Sequence, residues 1–280
     1  MCWRDSLIGT LALGALTIPA AAQPVRANGS LEIGYAVTFW DIPIGHTDYE
    51  SLVAANSYSA KAHFETGGVI GIFWKSVVDA TVNGNIGAHS IVPGAYDSHS
   101  QNHNRPLQQV KITYGRDEPT VFADPPYDMR KYPVSEAQTM GTIDPMSALT
   151  SIFADAAEEK GLCGNGVHVF DGRRRYDVRF VDVKDEAVKL GTGLFNGAAH
   201  LCQIHYDAIA GYPQRDAMAW QTSSKMFVDF VEVPAPGTPN GRYLVPVKLW
   251  SVRNLGIVTV TLDRIRVDGA LPRGMNSKPD

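Results

Sequence analysis

Three consecutive arginines lie in the stretch "VFDGRRRYDV", residues 169–178. Guanidinium groups at this density can bind an anion or an acidic protein surface. Asp171-Gly172 immediately before them is a strong signal for a two-residue β-turn between two alternating segments. We therefore interpret the stretch as a β-hairpin whose arginines mostly face solvent, with anion or partner binding as the alternative. The candidate contact residues are Arg173, Arg174, Arg175 and Arg179.

The histidines are the next residues whose side chains could take part in catalysis or metal binding. Their spacing predicts no catalytic or metal site. The polar stretch 96–106, "YDSHSQNHNRP", contains His99 and His103 and is interpreted as a loop between strands. It matches no ligand pattern of a known metal centre, although metal binding by this loop stays an open alternative. His168 and His205 fall on the polar faces of predicted strands, where packing across strands is the expected role.

The sequence contains none of the short motifs that mark nucleophilic or metal-dependent hydrolysis: G-x-S-x-G, S-x-x-K and H-E-x-x-H are absent. The glycine-rich stretch 191–197 does not lie between a parallel strand and a helix, as a dinucleotide-binding loop would. We predict no catalytic residue, no metal and no cofactor. The alternative is an enzyme whose site is assembled from distant strands.

Composition and charge limit the class of protein. Of the 280 residues, 44% are hydrophobic and 19% are charged, as in folded domains rather than disordered chains. The formal net charge of -4 argues against nucleic acid as a partner, because phosphate binding needs a basic excess.

Residues 1–22 have the pattern of a cleavable signal peptide. Arg4 precedes an apolar run over 7–18, and an Ala-rich stretch follows at 20–22. The apolar run is about a dozen residues long, too short to cross a ~30 Å hydrocarbon layer. We predict export to the periplasm, with a retained anchor as the alternative and no transmembrane segment in the mature chain.

Cleavage would remove Cys2 and leave Cys163 and Cys202. Two thiols in an oxidising compartment have one intramolecular pairing available. Both cysteines share a face with apolar residues in alternating segments, and neither belongs to a CxxC motif. We predict a structural disulfide between them; a free redox pair and a metal site are the alternatives.

The remaining pattern predicts a mainly β protein with one main helix. Many segments alternate apolar and polar residues, beginning with "LEIGYAVTFW" at 31–40. Asp144 and Pro145 mark a helix start, and Gly161 marks its end. With no βαβ alternation, we predict a large twisted, mostly antiparallel sheet, an open barrel or β-spiral, wrapped around this helix. The expected organisation is a signal peptide at 1–22, one periplasmic domain at 23–270 and a disordered tail at 271–280.

Several segments resemble a known family of secreted proteobacterial proteins, classified as domain of unknown function 3108. They are "TIDPMSALTSIF" (142–153), the arginine stretch between the two cysteines, "YDAIAGY" (206–212) and "YLVPVKLWSVRNLGIVTVTL" (243–262). The resemblance implies a periplasmic protein without established activity. At the level of fold, that family is similar to periplasmic lipoprotein carriers and envelope-integrity β-spiral proteins, which by itself implies no function.

These observations together predict a non-enzymatic periplasmic envelope protein. We expect it to bind a hydrophobic ligand, an envelope lipid, a lipoprotein or another periplasmic protein, and to support envelope integrity. A purely structural envelope scaffold is the alternative. Aromatic residues of the predicted sheet either line a ligand cavity or fill the core. They are Phe39, Trp40, Phe73, Trp74, Trp220, Phe227 and Trp250.

Overall fold

The structure, a computed structural model, describes ten stretches of the chain. They are residues 28–68, 71, 75–86, 91–115, 118–154, 163–164, 166–213, 225–236, 241–253 and 256–277. The predicted signal peptide and the predicted helix end at Gly161 lie outside them.

Thirteen strands within these residues form one antiparallel sheet. The strands are β1 (Gly29–Phe39), β2 (Ile42–Val53), β3 (Ser57–Thr66), β4 (Ser76–Ile86), β5 (Ile91–Asn102), β6 (Gln108–Thr113), β7 (Thr120–Asp124), β8 (Gly166–Phe170), β9 (Arg175–Lys189), β10 (Asn196–Ala210), β11 (Lys225–Pro234), β12 (Arg242–Arg253) and β13 (Gly256–Val267). Two helices, α1 (Glu136–Thr139) and α2 (Pro145–Ala154), lie between β7 and β8. The prediction of a mainly β, antiparallel fold with one main helix is confirmed.

The sheet consists of two meanders joined in the middle. Strands β1 to β7 follow one another to one edge, and β13 back to β8 follow one another to the other edge. The junction is the antiparallel pair of β1 and β13, from Leu31 opposite Val267 to Phe39 opposite Val258. The two edge strands, β7 and β8, do not pair with each other, so the sheet is open in its hydrogen bonding.

Side-chain packing nevertheless brings the two ends of the sheet together. The turn after β8 contains Gly172, which is buried against β6 and β7. A Cβ at this position would lie 2.7 Å from Cγ1 of Val110 and 3.4 Å from Cγ1 of Val121. Only a residue without a side chain permits so close an approach. The sheet therefore rolls up until the turn of one meander touches the far strands of the other.

The turn itself differs from the prediction. A two-residue loop would pair Val169 with Arg174, but the structure pairs Val169 with Tyr176 and leaves a four-residue loop, 171–174. Oδ1 of Asp171 accepts hydrogen bonds from the backbone N–H groups of Arg173 at 2.9 Å and Arg174 at 2.6 Å. This side-chain capping stabilises the longer loop. Because the pairing shifts by two residues and not by one, Val169 and Tyr176 lie on the same face that they would share with a two-residue loop.

The predicted loop 96–106 is also wrong over most of its length, because β5 continues to Asn102. Tyr96 and Ser98 are buried, whereas Asp97 and His99 lie on the outer face. The stretch is polar on both faces, which conceals the two-residue period by which strands are recognised.

Part of the segment 271–280, predicted as a disordered tail, contacts the rest of the domain in the structure. Met275 is buried in the main core, and the backbone N–H of Asn276 donates to the carbonyl oxygen of Leu194 at 2.8 Å. A methionine in a short segment rich in proline, glycine and polar residues has no periodic pattern around it and gives no sequence signal. Residues 278–280 lie outside the described part of the chain.

Polar contacts, as well as apolar packing, fix helix α2 inside the rolled sheet. Asp144 accepts hydrogen bonds from the backbone N–H of Ser147 at 2.8 Å and from the Ser147 hydroxyl. The Ser147 hydroxyl in turn bonds the Tyr58 hydroxyl from β3 at 2.6 Å. One turn further along, the Thr150 and Tyr49 hydroxyls bond at 2.8 Å. These pairs orient the helix on the strands of the first meander.

Replacing Asp144 by alanine is expected to lower the free energy of unfolding by about 1–3 kcal/mol. Asp144 is fully buried, and its loss leaves the Ser147 N–H and hydroxyl short of an acceptor. Urea denaturation followed by circular dichroism measures the change. Ser59→Ala on the exposed face of β3 is the control, with an expected change within about 0.5 kcal/mol. Equal losses in the two variants would contradict the role given to Asp144.

Candidate functional site

An apolar cavity of about 430 Å³ lies between helix α2 and the concave face of the sheet. Its wall contains residues of both meanders, and almost all of them are hydrophobic. Its aromatic members are Tyr35, Tyr49, Phe153, Tyr176, Phe180 and Phe230. Leu149 on the helix is 40% exposed at this site, so the cavity has a route to solvent. This volume is within the ~300–1,000 Å³ range of small-molecule sites.

The helix supplies one wall because its side chains recur at helical spacing. Pro145, Ala148, Leu149 and Ile152 all line the cavity, at the i, i+3, i+4 and i+7 positions of one helix face. On the opposite wall, residues of β9 to β12 present the inward faces of their strands. The space enclosed by the rolled sheet is wider than one helix, so α2 does not fill it and the cavity remains.

The disulfide lies behind this wall. The structure joins Cys163 and Cys202 in a disulfide with Cα atoms 5.7 Å apart. Both cysteines pack in a small core with Val228, Phe230 and Leu244. Partly buried residues that line the cavity pack against this small core. They are Ile152, Phe180, Ile204 and Leu249. The bond therefore connects the segment before β8 to the middle of β10 beneath the cavity wall.

A second, polar groove of about 540 Å³ adjoins the apolar cavity. The two share Pro145 and Tyr176 as lining residues, so they meet at the start of α2 and the first residues of β9. Three arginines line the groove: Arg105 after β5, and Arg173 and Arg174 in the loop 171–174.

The structure separates the four predicted contact arginines into two kinds. The Arg173 guanidinium lies 5.2 Å from the ring centre of Tyr127, and that of Arg174 lies 5.4 Å from the ring centre of Tyr212. Both arginines line the polar groove.

The other two have protein partners. Arg175 is largely buried and bonds the Asp177 carboxylate, and its Nε donates to the Gln138 carbonyl oxygen at 3.1 Å. Arg179 pairs with Asp207 at 2.8 Å on the outer face.

One carboxylate, that of Asp171, also lines the groove. Burial raises the pKa of this carboxyl, while the N–H groups of the loop and the two neighbouring guanidinium groups act in the opposite direction. Burial likewise raises the pKa of Tyr176, so its phenol stays protonated at neutral pH. With three arginines against one carboxyl, the groove is electropositive.

The predicted histidines show no catalytic constellation in the described part of the chain. Nδ1 of His168 lies 2.6 Å from Oδ1 of Asp177, but no serine or threonine hydroxyl among the described residues hydrogen-bonds the His168 ring. His205 pairs across strands with Arg179.

Two groups of described residues bring potential metal ligands close together. One is Cys163, His200 and Cys202, whose two sulfurs are joined in the disulfide, and the other lies on the outer face of β2 and β3. His46, His63 and Glu65 offer ligand atoms within 4.8 Å of one another, away from the cavity.

The aromatic residues proposed from sequence do not line the cavity where the structure describes them. Phe39 stacks on Trp40 with ring centres 5.7 Å apart, and Phe227 stacks on Trp250 at 5.5 Å. Phe73, Trp74 and Trp220 lie outside the described residues. The actual lining comes from the inward positions of the alternating segments, a signal that the sequence does contain but that does not distinguish a cavity wall from a filled core.

Comparisons with known proteins give little beyond the fold. No family model matches the chain, and no curated protein matches it. Among solved structures, the chain is similar to a β-barrel-like protein of domain of unknown function DUF1849 from Brucella abortus. The two are 13% identical with a TM-score of 0.49, and the match covers 88% of this chain and 99% of that one. Within the described residues, no helix has the length and apolar character needed to cross a membrane.

Proposed function

We propose that this protein is a non-enzymatic periplasmic envelope protein that binds a hydrophobic ligand and thereby supports envelope integrity. The observation that carries the proposal is the apolar cavity between α2 and the rolled sheet, which has the size of a ligand site and a route to solvent. The predicted signal peptide supports the periplasmic location.

The finer family assignment, to domain of unknown function 3108, is part of the same proposal. Its support is the sequence resemblance over the arginine stretch, the segment that begins α2 and the last two strands.

Replacing Leu149 by aspartate tests whether the cavity binds a hydrophobic chain. The new carboxylate lies at the exposed side of the apolar wall, where an apolar ligand would remove its water. We expect the affinity for a fluorescent long-chain lipid probe to fall at least about tenfold, which is 1.4 kcal/mol. Fluorescence titration of the purified mature protein measures the affinity.

Val252→Asp is the matched control, because Val252 has the same exposure, 40%, and does not line the cavity. Its affinity for the probe is expected to stay within twofold of the wild type. Failure of the wild-type protein to bind any lipid probe, together with the absence of lipid from natively purified protein by mass spectrometry, would overturn the proposal.

A further inference from the structure

We propose that the ligand is a single-chain lipid with a phosphate headgroup, its chain in the apolar cavity and its phosphate in the arginine groove. This inference depends on the proposed function and adds the chemical class of the ligand. It rests on the contact between the apolar cavity and the arginine groove. An apolar cavity alone would indicate a hydrophobic ligand but no headgroup.

The two sites adjoin each other. Pro145 at the first turn of α2 and Tyr176 at the start of β9 each line both the apolar cavity and the polar groove. A molecule that passes these two residues moves from hydrophobic walls to a surface with arginines and hydroxyl groups. An amphiphile is the ligand class that fits such a change of lining along one path.

The groove has unneutralised positive charge. In the described part of the chain, the guanidinium groups of Arg105, Arg173 and Arg174 form no ion pair, in contrast to Arg175 and Arg179. Asp171 is the one carboxylate in the lining, and its Oδ1 already accepts hydrogen bonds from two N–H groups of the loop. Three guanidinium charges against one carboxylate favour a dianionic group over a monoanionic one.

The arginines are also positioned for an anion. Arg173 and Arg174 lie over the rings of Tyr127 and Tyr212, contacts that hold a guanidinium by its face. The N–H groups at the edge of a stacked guanidinium remain available as donors in a fixed fork, the geometry that matches phosphate oxygens. A phosphate monoester carries about -1.5 to -2 charges at neutral pH.

The size of the apolar cavity sets the number of chains. Its volume of about 430 Å³ is at the lower end of the ~300–1,000 Å³ range of small-molecule sites. We therefore assign one acyl chain to the cavity. Monohexadecanoylglycerol and its phosphate provide a matched pair of probes, since they have the same acyl chain and differ only by the phosphate group.

The decisive experiment measures how well each of three lipids displaces a fluorescent probe from the purified mature protein. The lipids are monohexadecanoylglycerol phosphate, hexadecanoic acid and monohexadecanoylglycerol. In the wild type, we expect the phosphate to bind about tenfold or more tightly than the neutral glycerol ester, with the carboxylate between them. In Arg173→Ser/Arg174→Ser, the advantage of the phosphate is expected to disappear while the affinity for the neutral lipid stays the same.

Arg179→Ser serves as the control, because Arg179 is paired with Asp207 outside the groove, and it should preserve the wild-type preference. Unchanged binding of the neutral lipid by the double variant shows that its cavity is folded. Equal affinity of the wild type for the phosphate and the neutral lipid overturns the headgroup assignment, as does equal affinity for the phosphate and the carboxylate. Failure of all three lipids to bind refutes the proposed function itself.

Discussion

Replacing both Cys163 and Cys202 by serine is expected to lower the free energy of unfolding by about 4 kcal/mol. The bond closes a loop over a sequence separation of 39 residues, and without it the unfolded chain gains the conformational freedom of that loop. Both cysteines are buried behind the cavity wall, so serine hydroxyls would also lose their water. Urea denaturation of the wild type and the double variant, followed by tryptophan fluorescence, measures the loss.

The wild type in dithiothreitol is the control for the effect of the substitutions themselves. The urea midpoint of the reduced wild type should be lower than that of the oxidised wild type and close to that of the double serine variant. The same midpoint for oxidised and reduced wild type would show that the bond contributes nothing to stability.

Replacing Gly211 by alanine is expected to cost 3 kcal/mol or more, on the order of the largest single-residue effects. Gly211 follows β10 with a positive φ of 84°, and an added Cβ would lie 2.3 Å from the carbonyl oxygen of Arg173. It would also lie 2.9 Å from Cα of Arg174, so the backbone of the loop 171–174 would have to move. The variant should therefore displace the arginine loop and weaken phosphate binding along with stability.

Gly269→Ala separates the clash from the backbone strain. Gly269 also has a positive φ, 76°, but among the described residues beyond its two chain neighbours no heavy atom lies within 4 Å of an added Cβ. Its expected cost is about 1 kcal/mol, the cost of the unfavourable φ alone. Thermal denaturation of both variants measures the difference. A cost for Gly211→Ala no greater than that for Gly269→Ala would contradict the close packing of the loop against β10.

Much of the strand content could be predicted because burial follows the two-residue period. Leu31, Ile33 and Tyr35 alternate with polar or small residues in the sequence, and all three are buried. The two cysteines could be placed on apolar faces by the same argument. Strand β5 was missed because its inward residues include Ser98 as well as Tyr96, so hydrophobicity does not follow its period.

The site could be predicted only in part, since it depends on how the sheet rolls. The arginine stretch was evident, but the contact of Arg173 with Tyr127 joins residues from opposite edges of the sheet. Similarly, Tyr176 lines both the apolar cavity and the polar groove, and its strand begins two residues later than the turn signal indicates. Curvature over thirteen strands is a sum of many small twists and bulges, and no short stretch of sequence encodes it.

The pairing of β1 with β13 has a consequence for how the protein is made. The first and last strands to leave the ribosome are neighbours at the centre of the sheet, and not at its margins. In the sheet, β13 lies between β1 and β12. Until β13 has been synthesised, each of these two strands therefore lacks one of its neighbours. The native arrangement can therefore form only once β13 has been synthesised, and a chain that stops short of β13 would lack the strand pair that joins the two meanders.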